Sequence, residues 1–222
     1  MSEKQYFQYG ETEITFLKSK DAALSKAIDE IGHVQRELIP DIFMALINSI
    51  IGQQISTKAQ KTVWARFLTM FAPVVPAHIC SLPAEKLQTC GTTLKKAGYI
   101  KEIAESIVDG SLDLAQLQQM SDDAVCKRLC QIKGIGAWTA EMLMIFSMQR
   151  MDVMSWGDMA ILRGLRMLHH HREITPKLFA KYKKRYSPYG TVASLYLWKI
   201  SHGACAGLVD RASKTEMQKS KK

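Results

Sequence analysis

The chain has 222 residues, 47% of them hydrophobic, with a net charge of +9 and a pI near 9.3. That length can bury a sizeable core, in one body or two small lobes, and the basic balance suits a polyanionic partner. Cys80, Cys90, Cys126, Cys130 and Cys205 are odd in number and lack paired spacing, which argues against a disulfide scaffold; the longest apolar run, Ile42 to Ile51, is too short for a bilayer.

Residues 1–19 begin MSEKQYFQYG, without the apolar stretch of a leader, and alternate weakly through Ile14 and Phe16, which predicts an extended N-terminal arm. From 20 to 212 the apolar spacing is helical almost throughout, so the expected fold class is all-α, with 213–222 a basic, disordered tail. Pro40 and Asp41 open a helix that is apolar on every side and that Gly52 ends, the pattern of a buried core helix. Thr57 and Gln60 pair as a capping box for the next helix, which puts Val63, Phe67, Met70 and Phe71 on one stripe. Leu94, in CGTTLKK, reads either as a loop leucine or as a first-turn leucine folded into the core, ahead of a helix facing inward through Ile100, Ile103, Ala104 and Ile107. His169-His170-His171 ends a helix, where solvation or a charged imidazole near the negative dipole end accounts for it. Thr175-Pro176 and Ser187-Pro188 both have the form of an N-cap followed by a first-turn proline.

The stretch from about 123 to 158 carries the most information. A short helix from Asp123 to Cys130 leads into Lys133-Gly134-Ile135-Gly136, and a second helix runs from Ala137 to about Met148. Two glycines two apart let the backbone take positive φ and approach a partner closely. The helix N-terminus behind them presents N–H groups to a phosphate. Asp158 lies 22 residues beyond Gly136 and opens the helix MAILRGLRML. Taken alone, an aspartate there is most simply an N-cap.

Hairpin, tryptophan and spaced aspartate together, I-K-G-I-G-A-W-T-A followed by W-G-D, resemble the helix-hairpin-helix DNA glycosylases of the 3-methyladenine DNA glycosylase II type. The likeness runs from about Phe43 to Trp198, with Lys133 where proline is usual. It implies two helical lobes with the active-site cleft between them, a hairpin motif at about 123–148 within a glycosylase domain of 20–212, and no β-rich N-terminal domain. The implied activity is monofunctional: alkylated bases such as 3-methyladenine or 7-methylguanine are flipped out and their N-glycosidic bonds hydrolysed. Asp158 takes the position of the catalytic carboxylate, which stabilises the cationic sugar as the base departs. Trp138 stands where bifunctional relatives carry a Schiff-base lysine. Trp198, in LYLWKI, resembles a second pocket tryptophan, and Met142 one turn after Trp138 completes the expected base-binding set; an indole face attracts a cationic base.

The same resemblance assigns DNA contacts. Leu94 matches the wedge that fills the gap left by the flipped base, with Lys95 and Lys96 beside it for phosphates. Gln53 and Gln54 take the place of an amide that reaches the opposite strand, and Gly134, Gly136, Lys133 and Thr139 form the hairpin's DNA-contacting set. The carbonyls of Cys130, Ile132 and Ile135 would hold a monovalent cation, Na or K; no other cofactor is expected. The expected partner is double-stranded DNA containing damaged bases, met by a monomer away from membranes, in the cytoplasm or nucleoid or in a nucleus. Two alternatives stand beside this. A glycosylase of the same fold for uracil or mismatched thymine needs hydrogen-bond readout that Trp138, Met142 and Trp198 offer little of. A non-catalytic hairpin module explains Gly134, Gly136 and the charge, but leaves Asp158 and the two tryptophans as coincidences.

Overall fold

Helix follows helix along this chain because apolar residues recur at three- and four-residue spacing and many helices carry their own start signal. The computed structural model describes residues 4–212, which form thirteen α-helices and an isolated antiparallel bridge between Tyr6 and Glu37. The expected disordered tail, 213–222, lies outside the described residues. The chain divides into two compact units, one drawn from Met1–Leu38 and Gln149–Lys222, the other from Ile39–Met148.

The first unit opens with α1 (Glu11–Lys20) and α2 (Ala22–Ile31). The second holds α3 (Ile42–Gly52), α4 (Thr57–Met70), α5 (Pro76–Ser81) and α6 (Ala84–Gln88). It continues with α7 (Leu94–Val108), α8 (Leu114–Gln119), α9 (Asp122–Cys130) and α10 (Ala137–Phe146). The chain then returns to the first unit for α11 (Met159–His169), α12 (Pro176–Tyr186) and α13 (Gly190–Ser201).

In the second unit α3 is the axis. Leu46, Ile47, Ile50 and Ile51 are fully buried, and the helix packs against α4, α7 and α10. Each buried Leu or Ile contributes on the order of 2 kcal/mol relative to exposure, so a helix apolar on every side belongs inside. In the first unit α11 and α13 lie against each other over a core that includes Leu24, Ile28, Leu165, Val192 and Ile200. Gly164 sets their closeness: a Cβ there would lie 2.4 Å from the Leu197 carbonyl oxygen.

Four sequence expectations are corrected. The N-terminal arm of 1–19 is extended only at its start, since Glu11–Lys20 is α1, and the expected boundary at residue 20 falls within that helix. Ile14 and Leu17 lie three apart, and burying Leu17 outweighs the brief alternation of Ile14 with Phe16. The cap of α4 is Ser56, whose hydroxyl accepts the Ala59 N–H; Gln60 instead donates to the Asn48 carbonyl and side chain. Ser187 closes α12 rather than opening α13, while Thr175-Pro176 does open α12.

The fourth correction concerns His169, which is half-buried rather than solvated. It stacks on Tyr182 at 4.4 Å between ring centroids, and its Nε2 lies 3.1 Å from the Tyr186 hydroxyl. Burial pushes its pKa down to about 4, against the opposing pull of Asp21. The N-cap of α2, Asp21, accepts hydrogen bonds from Arg185 at 2.7 Å and Tyr186 at 2.9 Å. Burial alone would raise the Asp21 pKa; the Arg185 bond, the Leu24 N–H and the neighbouring charge lower it on balance.

Candidate functional site

The hairpin is built by α9, the turn at 131–136 and α10. Ser121 caps α9 and Gly136 caps α10. The two hairpin glycines divide the labour expected of both. Gly134 has φ 84°, and a Cβ on it would lie 2.4 Å from the Tyr99 ring, so it is glycine for conformation and for closeness. Gly136 has φ −99°, open to any residue, and a Cβ there would meet nothing within 4 Å. The open ground in front of Gly136 leads to an α10 N-terminus that receives no side-chain cap. An uncapped, exposed helix start presents first-turn N–H groups and a positive dipole end, the arrangement that receives an anion.

Around the hairpin, the predicted residues fall into three groups. Trp138 and Leu94 are exposed, at 43% and 47%, which leaves both large apolar side chains at the surface. Leu94 is not in a loop, however; it is the first residue of α7, directly after the Thr93 cap. Gln54 is also exposed, in a left-handed conformation with φ 56°. Lys133 is exposed and pairs with Glu102 at 3.2 Å, an ion pair that solvent leaves weak and exchangeable for another anion. Two residues turn inward instead. Thr139 and Met142 are buried at 4% and 6%, because α10 is apolar nearly all round and its i+1 and i+4 positions from Trp138 fall inside. Their side chains belong to the core rather than to a presented surface. Gln53 is committed internally: its amide donates to the Gly134 carbonyl at 2.7 Å. Lys96, expected at a phosphate, donates to the carbonyls of Ile51 at 3.0 Å and Gln53 at 2.6 Å.

The carboxylate stands in the other unit. Asp158 is 7% exposed and is the N-cap of α11, its Oδ1 accepting the N–H groups of Ala160 at 2.9 Å and Ile161 at 3.0 Å. The segment before it is pinned to the start of α13. Thr191 donates to the Arg150 carbonyl and accepts the Val153 N–H, and the Asp152 carboxylate accepts from the Gly190 N–H and Ser187 hydroxyl. Trp198 lies on α13, half-buried, with the Arg36 guanidinium 5.9 Å from its ring centroid. The Gly164–Leu197 approach therefore fixes α11, which begins at Asp158, against the helix that carries Trp198. Gly164 was not singled out from sequence, although a glycine inside an amphipathic helix is a signal for close packing. Trp156 and Met159, at 42% and 40% exposure, flank Asp158 in sequence and expose further apolar surface.

Among the described residues the chain is all-helical, with a glycine hairpin feeding an uncapped helix and a buried aspartate capping the next. Residues 47–188 match the HhH-GPD superfamily of base excision DNA repair proteins, and the chain belongs to that family. It is 35% identical over 161 residues to DNA-3-methyladenine glycosylase 1 of Schizosaccharomyces pombe, covering 70% of this chain and 71% of that one. Among solved structures, a DNA-3-methyladenine glycosidase from Bacillus halodurans superimposes with a TM-score of 0.80 at 34% identity, covering 94% of this chain and 96% of the other. The 3-methyladenine DNA glycosylase of S. pombe in complex with abasic DNA gives 0.79 at 29% identity, with 88% and 100% covered.

Proposed function

We propose that this protein is a monofunctional DNA glycosylase that excises alkylated bases of the 3-methyladenine and 7-methylguanine kind from double-stranded DNA. The observation that carries the reading is Asp158, a buried carboxylate anchored on two backbone N–H groups at the head of α11. As the base leaves, positive charge develops on the deoxyribose, and a negative charge fixed in advance stabilises it without reorganising. The chain's membership of a base-excision family and its likeness to 3-methyladenine glycosylases support the substrate class. Trp138 supplies an exposed indole face suited to a cationic base, which is already a good leaving group. Trp198, whose ring already has the Arg36 guanidinium 5.9 Å from its centroid, shows that an indole of this chain attracts a cation. Gly136 and the first turn of α10 take a phosphate, with Lys133 released to it from Glu102, and Leu94 and Gln54 enter the groove. Trp138 occupies the position of the lyase nucleophile in bifunctional relatives, so the product is an intact strand with an abasic site. The carbonyl of Cys130, the last residue of α9, lies where helix carbonyls lack an i+4 partner, and that of Ile132, two residues on, accepts the Ile135 N–H. With the Ile135 carbonyl they offer the oxygen donors a Na or K ion takes, and such an ion would add positive charge at the phosphate.

The test is a set of labelled duplexes, each with one 7-methylguanine, 3-methyladenine, uracil or mismatched thymine, incubated with enzyme and then split, with and without hot alkali. Strand breaks at the alkylated bases after alkali alone are the expected result. Breaks without alkali, or a borohydride-trapped adduct, overturn monofunctionality. Release of uracil or thymine alone overturns the substrate class, and no release from any duplex overturns the enzyme reading.

A further inference from the structure

Lys96 is half-buried on a basic protein read as a DNA enzyme, yet its ammonium points into the fold. It seats on the Ile51 and Gln53 carbonyls at 3.0 and 2.6 Å, the orphan acceptors at the C-terminus of α3. The residue whose carbonyl it holds, Gln53, sends its own amide to the Gly134 carbonyl at 2.7 Å. One turn further along α7, Tyr99 fills the space against Gly134, where a Cβ would come within 2.4 Å of the ring. Lys95, the neighbour on the outer face, is exposed with its Nζ 5.9 Å from the Tyr99 ring centroid. Burial depresses the Lys96 pKa, the mark of an ammonium withdrawn from water rather than held out to phosphate.

We propose that Lys96 is a positioning residue: through Gln53 it locks the 53–54 loop, the start of α7 with Leu94, and the Gly134 hairpin into one block. This rests on the glycosylase reading for its purpose. Extruding a base requires a phosphate grip and a groove-filling side chain at fixed spacing, since a displacement of about 1 Å costs on the order of a hundredfold in rate. Three segments far apart in sequence, each with a proposed DNA contact, would otherwise shift independently. The lattice of Lys96, Gln53 and Tyr99 removes that freedom before DNA arrives.

The test compares wild type, Lys96→Met, Gln53→Ala, the double variant and Lys95→Met as full-length proteins. A lost phosphate contact lowers the salt-dependence slope of binding to undamaged duplex by about one. Lys95→Met is expected to do this. Lys96→Met is expected to keep the wild-type slope while single-turnover excision of 7-methylguanine at saturating enzyme falls about tenfold or more. Gln53→Ala should match it, and the double variant should lose no more than either single one, because all three break the same chain of bonds. A reduced slope with the rate intact makes Lys96 a phosphate contact and overturns the proposal; so does an unchanged rate. If Lys96→Met does not fold, Gln53→Ala decides by the same criteria. Amide hydrogen exchange separates this from the enzyme reading: Lys96→Met should speed exchange at 51–54 and 133–136 together, whatever the protein excises. Faster exchange at 51–54 alone overturns the brace.

Discussion

Two helix starts in this protein face the same electrostatic problem and solve it in opposite ways. The head of α10 is capped by Gly136, exposed, which has no side chain of its own to accept the helix's N–H groups. The head of α11 is capped by Asp158, buried, with two N–H groups bound to one carboxylate oxygen. Both ends carry the partial positive charge of the helix dipole. At α10 the proposed anion is the phosphate of a visiting duplex; at α11 the anion is built in and immobile. Under the proposed function the difference teaches how one structural unit serves two tasks: a start left to be completed would bind, and a start already completed would stabilise a transient cation.

The sharpest way to break the comparison is Asp158→Asn. The amide keeps an oxygen for the cap and removes the charge, so single-turnover excision should fall about 10²- to 10³-fold while duplex affinity holds. A rate within about tenfold of wild type, a loss near 1.4 kcal/mol, would remove Asp158 from the chemistry. Next in size is Gly164→Val, which attacks the support of the same helix. Its Cβ would meet the Leu197 carbonyl oxygen at 2.4 Å, and a cost of about 2–3 kcal/mol in denaturant unfolding is expected. An unshifted midpoint would mean α11 and α13 do not need to meet so closely.

The far end of α11 gives a third measure, in acid. His169 ordinarily titrates near 6.5 and is held neutral down to about 4 by burial, so the unfolded chain binds more protons across that window. The histidine contribution to stability should therefore fall as pH drops from about 6.5 to about 4, by up to about 3 kcal/mol, and level out below. Asp21, whose folded pKa is lowered from 3.8, adds a separate loss below that range, as pH falls from about 3.8 through its folded pKa. Thermal melts across pH read this directly, and a flat profile would show the imidazole to be solvated after all. The smallest effect sharpens the comparison most. Gly136→Asp gives α10 its own anion, so stability should hold or rise by a few tenths of a kcal/mol. Affinity for every duplex should weaken about tenfold, because carboxylate and phosphate compete for one place. Binding that survives this substitution would mean the hairpin does not hold DNA.

What was legible in the sequence was what acts locally. Glycine spacing marks a hairpin and Asp158 marks a cap because each works on its own few neighbours. All-α follows from apolar spacing for the same reason. Direction was not legible. Spacing puts Thr139 and Met142 on α10, but the surrounding helices decide that both face inward. Lys96 reads as a phosphate contact until the orphan carbonyls of α3, 45 residues earlier, are seen to take it. His169 reads as solvated until Tyr182 and Tyr186 cover it. In each case the missing information is which surface another segment covers, and that is settled by tertiary packing.

The hydrogen bond from Tyr186 to Asp21 joins residues 165 apart, and all of Ile39–Met148 lies within that interval. Closing so long an interval is not the obstacle it looks, since each doubling of loop length costs only about 0.6 kcal/mol. What the arrangement fixes is a calendar. As the chain leaves the ribosome, the hairpin unit is complete when Met148 emerges, whereas the unit holding Asp158 waits for its second half. A translation product stopped between the two would own the proposed grip without the proposed chemistry.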